Sequence, residues 1–496
     1  MRIFEILTVI SSLLLLLGLA SRKWLLFRGR TILAVGALGF VVLHLLIEKP
    51  RWQMVPVYFL VGLVAIFWLL SLQGTPNDKN SRRRVALRTA GALAGILILL
   101  ICAALASLFP VIPLPEPGGP FGVGTSTFVV TDPKRSETLT PDPSDVRQFV
   151  VDVWYPAQKA PGAQPAPMYP RPTEILVPLA RAVQLPDFLF THLALVQSHS
   201  YIDAAVAPDQ GTYPVLLFSH AYPPGFSRQN TVQMEALASH GYVVFSISHT
   251  YHALVTMFPD GTAVPLSTAQ NEEMIQEGEA TMEIFPKLFG ENPVKDPAER
   301  QKLFEEFLAL QPSAQKNVQI WADDFSSMLD ELEGIQSGQV TNLLNGHLDL
   351  ERVGIFGMSF GGASSVEACL NEVRCKAVVN LDGFQFGKSF TSPIQQPYLM
   401  MYSEQNQGMN DFAVDSAQAA AYRAVVSGTK HFNYTDFALI SPLFTQVGFT
   451  GTINPQRMET IMDTYLLAFF DQYLLGKETD FSALNARFPE VDLKVK

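Results

Sequence analysis

One decapeptide constrains the fold of this chain more than any other stretch: Val353-Gly354-Ile355-Phe356-Gly357-Met358-Ser359-Phe360-Gly361-Gly362. An apolar β-forming run leads into Gly-x-Ser-x-Gly, and the small residues Gly361, Gly362, Ala363, Ser364 and Ser365 open a helix. That order predicts a nucleophile elbow, a serine on a sharp strand-to-helix turn with its hydroxyl exposed. Side chains at Gly357 or Gly361 would collide with the neighbouring strand and helix. A glycine-rich turn around an ordinary serine would read the same over five residues. The flanking strand and helix, and the residues that could partner the serine, separate the two.

The surrounding chain alternates buried-type strands with helices. Val215–Ser219 is followed by the irregular loop His220-Ala221-Tyr222-Pro223-Pro224-Gly225, a helix over 230–240 with Asn230 as its N-cap, and a strand over 242–247. Further strands are expected at 149–155, 353–356, 377–381 and 398–401, and helices at 298–310, 319–332 and 458–475. A β-loop-α-β order with buried strands argues for an α/β class with a mostly parallel sheet covered on both faces. The expected domains are 1–109, a four-helix transmembrane anchor; 110–148, a Pro/Gly-rich linker and domain entry; and 149–496, a catalytic domain of α/β-hydrolase fold with a helical insertion at about 253–345.

Hydrophobic residues crowd the N-terminus in four runs, 6–20, 31–47, 54–72 and 85–109, whose lengths bracket what a membrane-spanning helix needs. The loops between them differ in charge. Arg22, Lys23, Arg28 and Arg30 mark the first, Lys79, Arg82, Arg83, Arg84 and Arg88 the third, and only Lys49 and Arg51 the second. Basic loops stay cytoplasmic, so the N-terminus and everything after Phe109 are expected outside, in a multi-pass protein of the cell membrane. Cleavage after Ala20 as a signal peptide would strand the first basic loop outside, so the anchor is read as uncleaved. Residues 1–109 carry twelve Lys/Arg and three Asp/Glu, whereas the remainder carries 23 and 43. So acidic a domain excludes nucleic acid as a partner and does not dock flat on anionic lipid.

A serine hydroxyl needs an adjacent base, itself oriented by a carboxylate. On an elbow of this kind the chain order is Ser, then Asp or Glu, then His. Of nine histidines only His431 follows Ser359, which assigns the base by elimination. For the acid, Asp382 ends the strand 377–381 and is favoured by position; Glu404 and Asp411, after the next strand, compete with it. The backbone N–H of Phe360 and an N–H from the loop after 215–219 would hold an oxyanion. In that loop Tyr222 is the natural donor, because Pro223 and Pro224 have none.

The chain resembles the platelet-activating factor acetylhydrolase family, specifically its bacterial membrane-anchored members. The likeness runs from about 113 to 476 and rests on Pro120-Phe121-Gly122-Val123-Gly124, Val153-Trp154-Tyr155-Pro156, Phe218-Ser219-His220, Ala238-Ser239-His240-Gly241-Tyr242, Gly357-Met358-Ser359-Phe360-Gly361-Gly362, Asn380-Leu381-Asp382-Gly383 and His431-Phe432-Asn433. The resemblance implies a triad of Ser359, Asp382 and His431, selecting Asp382 over Glu404, with oxyanion donors at Tyr222 and Phe360. It also implies a membrane-anchored serine esterase for short or oxidised acyl chains on phospholipid-like esters, needing no metal or cofactor. Ala221 and Tyr222 stand where animal members have Gly-Leu, and the insertion after His249 is long; both bear on substrate identity. Acyl transfer by the same triad, and a non-catalytic membrane receptor on a hydrolase fold, are the alternatives.

Three further features stand apart. His249 and His252 are closely spaced but have no acidic or cysteine neighbour in sequence to complete a metal site, so they are read as supporting a site from behind or as structural. His44 lies within the second hydrophobic run, where it is read as a helix-contact residue. Cys102 is expected as a free thiol, whereas Cys369 and Cys375 flank a turn short enough to bring them into disulfide range.

Overall fold

The computed structural model describes residues 1–496 except 21–26, 71–80, 159–161, 209–210 and 290–293. Arg22, Lys23 and Lys79, on which part of the charge argument rests, lie outside the described residues. The chain divides into two compact units. One comprises Met1–Pro113 with Val183–Val196 and Ile440–Leu443, the other Leu114–Ala182, Gln197–Leu439 and Phe444–Lys496.

The larger unit is built on strands β1 (Gly122–Ser136), β2 (Val146–Ala157), β3 (Ser200–Ile202), β4 (Tyr213–Ser219), β5 (Val243–Ser248), β6 (Val255–Met257), β7 (Ala263–Pro265), β8 (Leu348–Met358), β9 (Cys375–Leu381), β10 (Tyr398–Ser403), β11 (Ala421–Val426) and β12 (Val491–Val495). Ten of them form one sheet in the order β12-β11-β10-β9-β8-β4-β5-β2-β1-β3, and β6 and β7 pair as a separate hairpin. From β5 through β4, β8, β9 and β10 to β11 every pairing is parallel, while β2 and β12 run antiparallel to their neighbours. The carboxyl ends of β4, β5, β8, β9 and β10 therefore share one edge, where sites in open α/β sheets form.

Alternation along the strands explains the two covered faces. Val215 and Leu217 of β4 join one core cluster and Leu216 and Phe218 the other. In the smaller unit the helices are α1 (Ile3–Ala20), α2 (Phe27–Leu43, extended by a π-turn His44–Glu48), α3 (Val55–Leu70) and α4 (Ser81–Leu108). In the larger unit α5 (Pro172–Ala182), α6 (Thr231–Ser239), α7 (Thr268–Ala280), α8 (Phe285–Phe289), α9 (Pro297–Ala309), α10 (Pro312–Ser337) and α11 (Phe360–Asn371) follow in order. Phe325, Met328, Leu329 and Leu332 of α10 and Val366 of α11 seal the first face. Met234 and Leu237 of α6, with Met462, Leu466 and Phe470 of the helix Pro455–Leu475, seal the second.

Two expectations need correction. The span 110–148 contains the fifteen-residue strand β1, paired with β2 from Gly122 opposite Ala157 onward. Its Pro and Gly are concentrated before residue 122, and the Thr- and Val-rich stretch behind them is ordinary strand sequence. Asn230 stands at the N-cap of α6 without capping it; its amide donates to Gln233 and to the Tyr434 carbonyl, and Asp436 takes the Val232 N–H instead.

Of the four runs expected to span a membrane, Thr31–Glu48 and Val85–Leu108 are long and apolar enough by length and composition; the helices over Ile3–Leu19 and Trp52–Trp68 are shorter. A bilayer core needs about 20 apolar residues, so among the described residues the count by length alone is two rather than four. Within this unit the Arg51 guanidinium forks onto both oxygens of Glu5 at 2.6 Å and donates to the Ala106 and Phe109 carbonyls. His44 is buried between Glu48 and Tyr58. The ligand atoms of Glu5, His44 and Glu48 lie within 4.8 Å of one another, but Glu5 is already committed to Arg2 and Arg51.

Candidate active site

Ser359 stands between β8 and α11 with φ 60° and ψ −126°, a conformation that costs a residue with a side chain on the order of 1–3 kcal/mol. The turn is held from both sides. Its N–H donates to the Leu381 carbonyl at 2.8 Å, and its own carbonyl receives the Gly362 N–H at 2.9 Å. The glycines are needed against the neighbouring helix and strand, as expected. A Cβ on Gly357 would lie 2.3 Å from Gly361 backbone within the elbow itself, and one on Gly361 would lie 2.2 Å from the Ser219 carbonyl oxygen.

Asp382 follows β9, also at positive φ, 56°. Its carboxylate is buried and accepts four hydrogen bonds. They come from the Ser403 N–H at 2.6 Å, the Ser403 hydroxyl at 2.9 Å, the Asn406 amide at 2.8 Å and His431 Nδ1 at 2.8 Å. Asn380 clamps the adjoining backbone by accepting from Gly383 N–H and donating to the Gly383 carbonyl. Sequence reasoning missed Ser403 and Asn406. Ser403 ends β10 and Asn406 follows it, beside the position from which Glu404 had been weighed as the acid.

His431 opens a short 3₁₀ turn, His431–Tyr434, whose shape is set by Asn433 accepting from the N–H groups of Lys430 and Gly451. Its Nε2 stands 2.9 Å from Ser359 Oγ. Because a carboxylate can only accept, Nδ1 carries the proton toward Asp382 and Nε2 presents a lone pair to the serine hydroxyl. The imidazole is 29% exposed while the Asp382 side chain is fully buried, so the proton-accepting nitrogen is reachable and the carboxylate is shielded. Glu404 instead accepts from Gly428 N–H, and Asp411 from Tyr402 and Arg423.

Tyr222 and Phe360 face each other with ring centroids 6.0 Å apart. Among the described residues, neither backbone N–H has a protein acceptor. The Phe360 ring also packs edge-on against Trp321 of α10 and at a tilt against Phe386. Phe384, just after Asp382, meets Phe289 and Phe307 of the insertion helices α8 and α9 and packs against Phe386. An apolar aromatic wall thus adjoins Ser359, and the insertion supplies part of it. Cys369, at the end of α11, and Cys375, at the start of β9, are disulfide-bonded with Cα atoms 5.4 Å apart, and Cys102 is free and buried.

The sequence profile of the family described as platelet-activating factor acetylhydrolase, isoform II, matches residues 108–494. The chain belongs to that family. It is 22% identical over 396 residues to the platelet-activating factor acetylhydrolase of Cavia porcellus, covering 75% of this chain and 80% of that one. To the protein of that name from Gallus gallus it is 25% identical over 320 residues, 58% of this chain and 71% of that one. Among solved structures, a ferulic acid esterase from Streptomyces cinnamoneus superposes with a TM-score of 0.58 at 23% identity, covering 77% of this chain and 99% of that chain. At that identity the likeness speaks for the fold alone, an α/β-hydrolase fold. Family membership supports a carboxylic ester hydrolase in the general sense.

Proposed function

We propose that the chain is a membrane-anchored serine esterase that hydrolyses short or oxidised acyl chains of phospholipid-like esters. Ser359 is its nucleophile, His431 its general base and acid, and Asp382 the carboxylate that fixes the imidazole. The observation that carries this reading is the unbroken hydrogen-bonded line Ser359 Oγ–His431 Nε2, 2.9 Å, and His431 Nδ1–Asp382 Oδ2, 2.8 Å. Ser359 Oγ attacks the ester carbonyl carbon as its proton passes to His431 Nε2. The resulting oxyanion is held by the N–H groups of Tyr222 and Phe360. Collapse breaks the bond to the alkoxy oxygen, which leaves as the alcohol with the proton from His431. Water then attacks the acyl-serine, gives a proton to His431, and the carboxylic acid departs as Ser359 regains its hydrogen.

The aromatic wall of Phe360, Phe384 and Phe386 suits an acyl chain. Anchoring through the N-terminal helices is supported by their exposed apolar faces: Phe59, Leu63, Leu93 and Leu100 are 70%, 67%, 62% and 63% exposed. Faces so apolar call for lipid or a partner surface. With the charge asymmetry of the loops, this favours a cell-membrane protein whose catalytic domain lies outside the cytoplasm. The test is hydrolysis of phosphatidylcholines carrying acetyl, hexanoyl, oxidised and palmitoyl chains at one position, by wild type and Ser359→Ala. Turnover of the short and oxidised esters that disappears in the variant is expected. Turnover unaffected by the variant, or confined to palmitoyl, would overturn the assignment. A cytoplasm-dependent reporter fused after Lys496 should be silent, and a strong signal would reverse the orientation.

A further inference from the structure

A second Ser-His-Asp array lies beneath the first. Ser219 Oγ is 2.9 Å from His249 Nε2, and His249 Nδ1 is 2.8 Å from Asp324 Oδ2. All three side chains are buried, so no substrate reaches Ser219, and the array is not a second active centre. Its place in the fold is informative. Ser219 ends β4, and the next three residues are His220, Ala221 and Tyr222, the last being the proposed oxyanion donor.

The array immobilises His249. Asp324 receives the Nδ1 proton, the Trp321 ring stacks on the imidazole at 4.0 Å, and Arg147 and Arg135 hold Asp324 in turn. Burial pushes the His249 imidazole down to about 4, despite Asp324, so it stays neutral and its Nε2 accepts the Ser219 hydroxyl proton. Burial pulls Asp324 the other way, but Arg147 and the bond from His249 hold its carboxyl well below the usual range.

The backbone N–H of His249 then donates to His220 Nε2 at 3.3 Å. That bond leaves the His220 proton on Nδ1, which stands 2.7 Å from the Ala221 carbonyl oxygen and must donate to it. The Ala221 carbonyl and the Tyr222 N–H belong to one planar trans peptide, so fixing the oxygen aims the N–H in the opposite direction. Gln229 holds the preceding Ala221 N–H at 3.1 Å, and the Ala221 oxygen lies against Gly225, where a Cβ would stand 1.9 Å from it.

We propose that His220 is a positioning residue for the oxyanion donor Tyr222, and that Ser219, His249 and Asp324 form the buried frame that keeps His220 in the required tautomer. This inference rests on the ester-hydrolase reading. A hydrogen bond to the carbonyl also polarises the peptide and strengthens its N–H as a donor. The dependence falls on the transition state, where the oxyanion forms, so kcat should respond and KM should not.

The experiment compares His220→Gln, His220→Asn and Ser219→Ala with wild type, using p-nitrophenyl acetate hydrolysis and thermal melting of the full chain. In His220→Gln the amide can still accept from His249 but places no N–H at Ala221. His220→Asn restores an N–H near the Nδ1 position. The expected result is a loss of kcat of about 10- to 100-fold for Gln with KM unchanged, and recovery of most of that loss by Asn whatever the two melting temperatures are. Ser219→Ala, the mildest change and the one that stands if the His220 variants do not fold, should lower kcat about threefold or more at unchanged KM. Equal kcat for Gln and Asn, or wild-type kcat in Ser219→Ala, would overturn the proposal. A folded wild type that does not turn over the ester at all would instead overturn the ester-hydrolase reading, and this one with it.

Discussion

Replacing Asp382 by asparagine exchanges one oxygen for an NH₂ group, and the surrounding donors dictate how the site responds. The Oδ1 side faces the Ser403 backbone N–H at 2.6 Å, a donor that cannot turn away. The new amide must therefore keep its oxygen there and place its NH₂ on the Oδ2 side, facing the Ser403 hydroxyl, Asn406 and His431. The hydroxyl can rotate to accept, and His431 can accommodate only by surrendering the Nδ1 proton. The imidazole then carries its hydrogen on Nε2, pointing at Ser359 Oγ, and has no lone pair for the serine proton. A tautomer error of this kind costs roughly 10⁴-fold in kcat, or about 5.5 kcal/mol of transition-state stabilisation. The assay is p-nitrophenyl acetate turnover by Asp382→Asn, with circular dichroism to establish that the variant folds. Glu404→Gln is the control. It removes a carboxylate bonded to Gly428 N–H and should change the activation barrier by no more than ~0.5 kcal/mol. A folded Asp382→Asn enzyme within about tenfold of wild type, or a crippled Glu404→Gln, would refute the tautomer argument and the choice of acid.

Packing, covalent structure and charge give further expectations. Gly361→Ala sets a Cβ against the Ser219 and His220 carbonyl oxygens at 2.2 and 2.4 Å, so urea unfolding should show a loss of about 1–3 kcal/mol alongside lost activity. Thiol titration of denatured, unreduced protein should find Cys102 alone, and Cys369→Ser with Cys375→Ser should cost about 2 kcal/mol for so short a loop; three free thiols would end the disulfide reading. Burial raises the Asp463 carboxyl to about 8. Its folded-state value thus exceeds its unfolded one, and its contribution to stability is present below about pH 4 and lost as pH rises toward 8. Asp463→Asn should therefore gain on wild type steadily between pH 5 and about pH 8 in urea titrations, whereas a constant difference would contradict the shift.

The part of this fold that obeys local rules was legible. The elbow announced itself because the strand, the glycines and the small-residue helix start are contiguous. His431 emerged because no other histidine follows Ser359, and its position 2.9 Å from Oγ closes a contact across 72 residues. Strand β1 was hidden because the Pro- and Gly-rich approach before Gly122 coloured the reading of the alternating stretch behind it. The buried array of Ser219, His249 and Asp324 was hidden for a different reason. Asp324 looks like one more polar position on an amphipathic helix, and only the packing of α10 on the sheet brings it to His249, just after β5. Tertiary partnerships of this kind leave no periodic trace in sequence. The N-terminal helices show the converse limit, because composition marks all four runs as apolar while helix length among the described residues separates two of them from the others.

The most direct test of the central claim is covalent labelling of Ser359. Full-length protein is treated with a fluorophosphonate, digested, and the adduct located by mass spectrometry, with Ser359→Ala alongside. The account predicts a single modified peptide carrying the adduct on Ser359, and no labelling of the folded variant. A folded wild type that stays unmodified, or an adduct on any other serine that persists in Ser359→Ala, would contradict it.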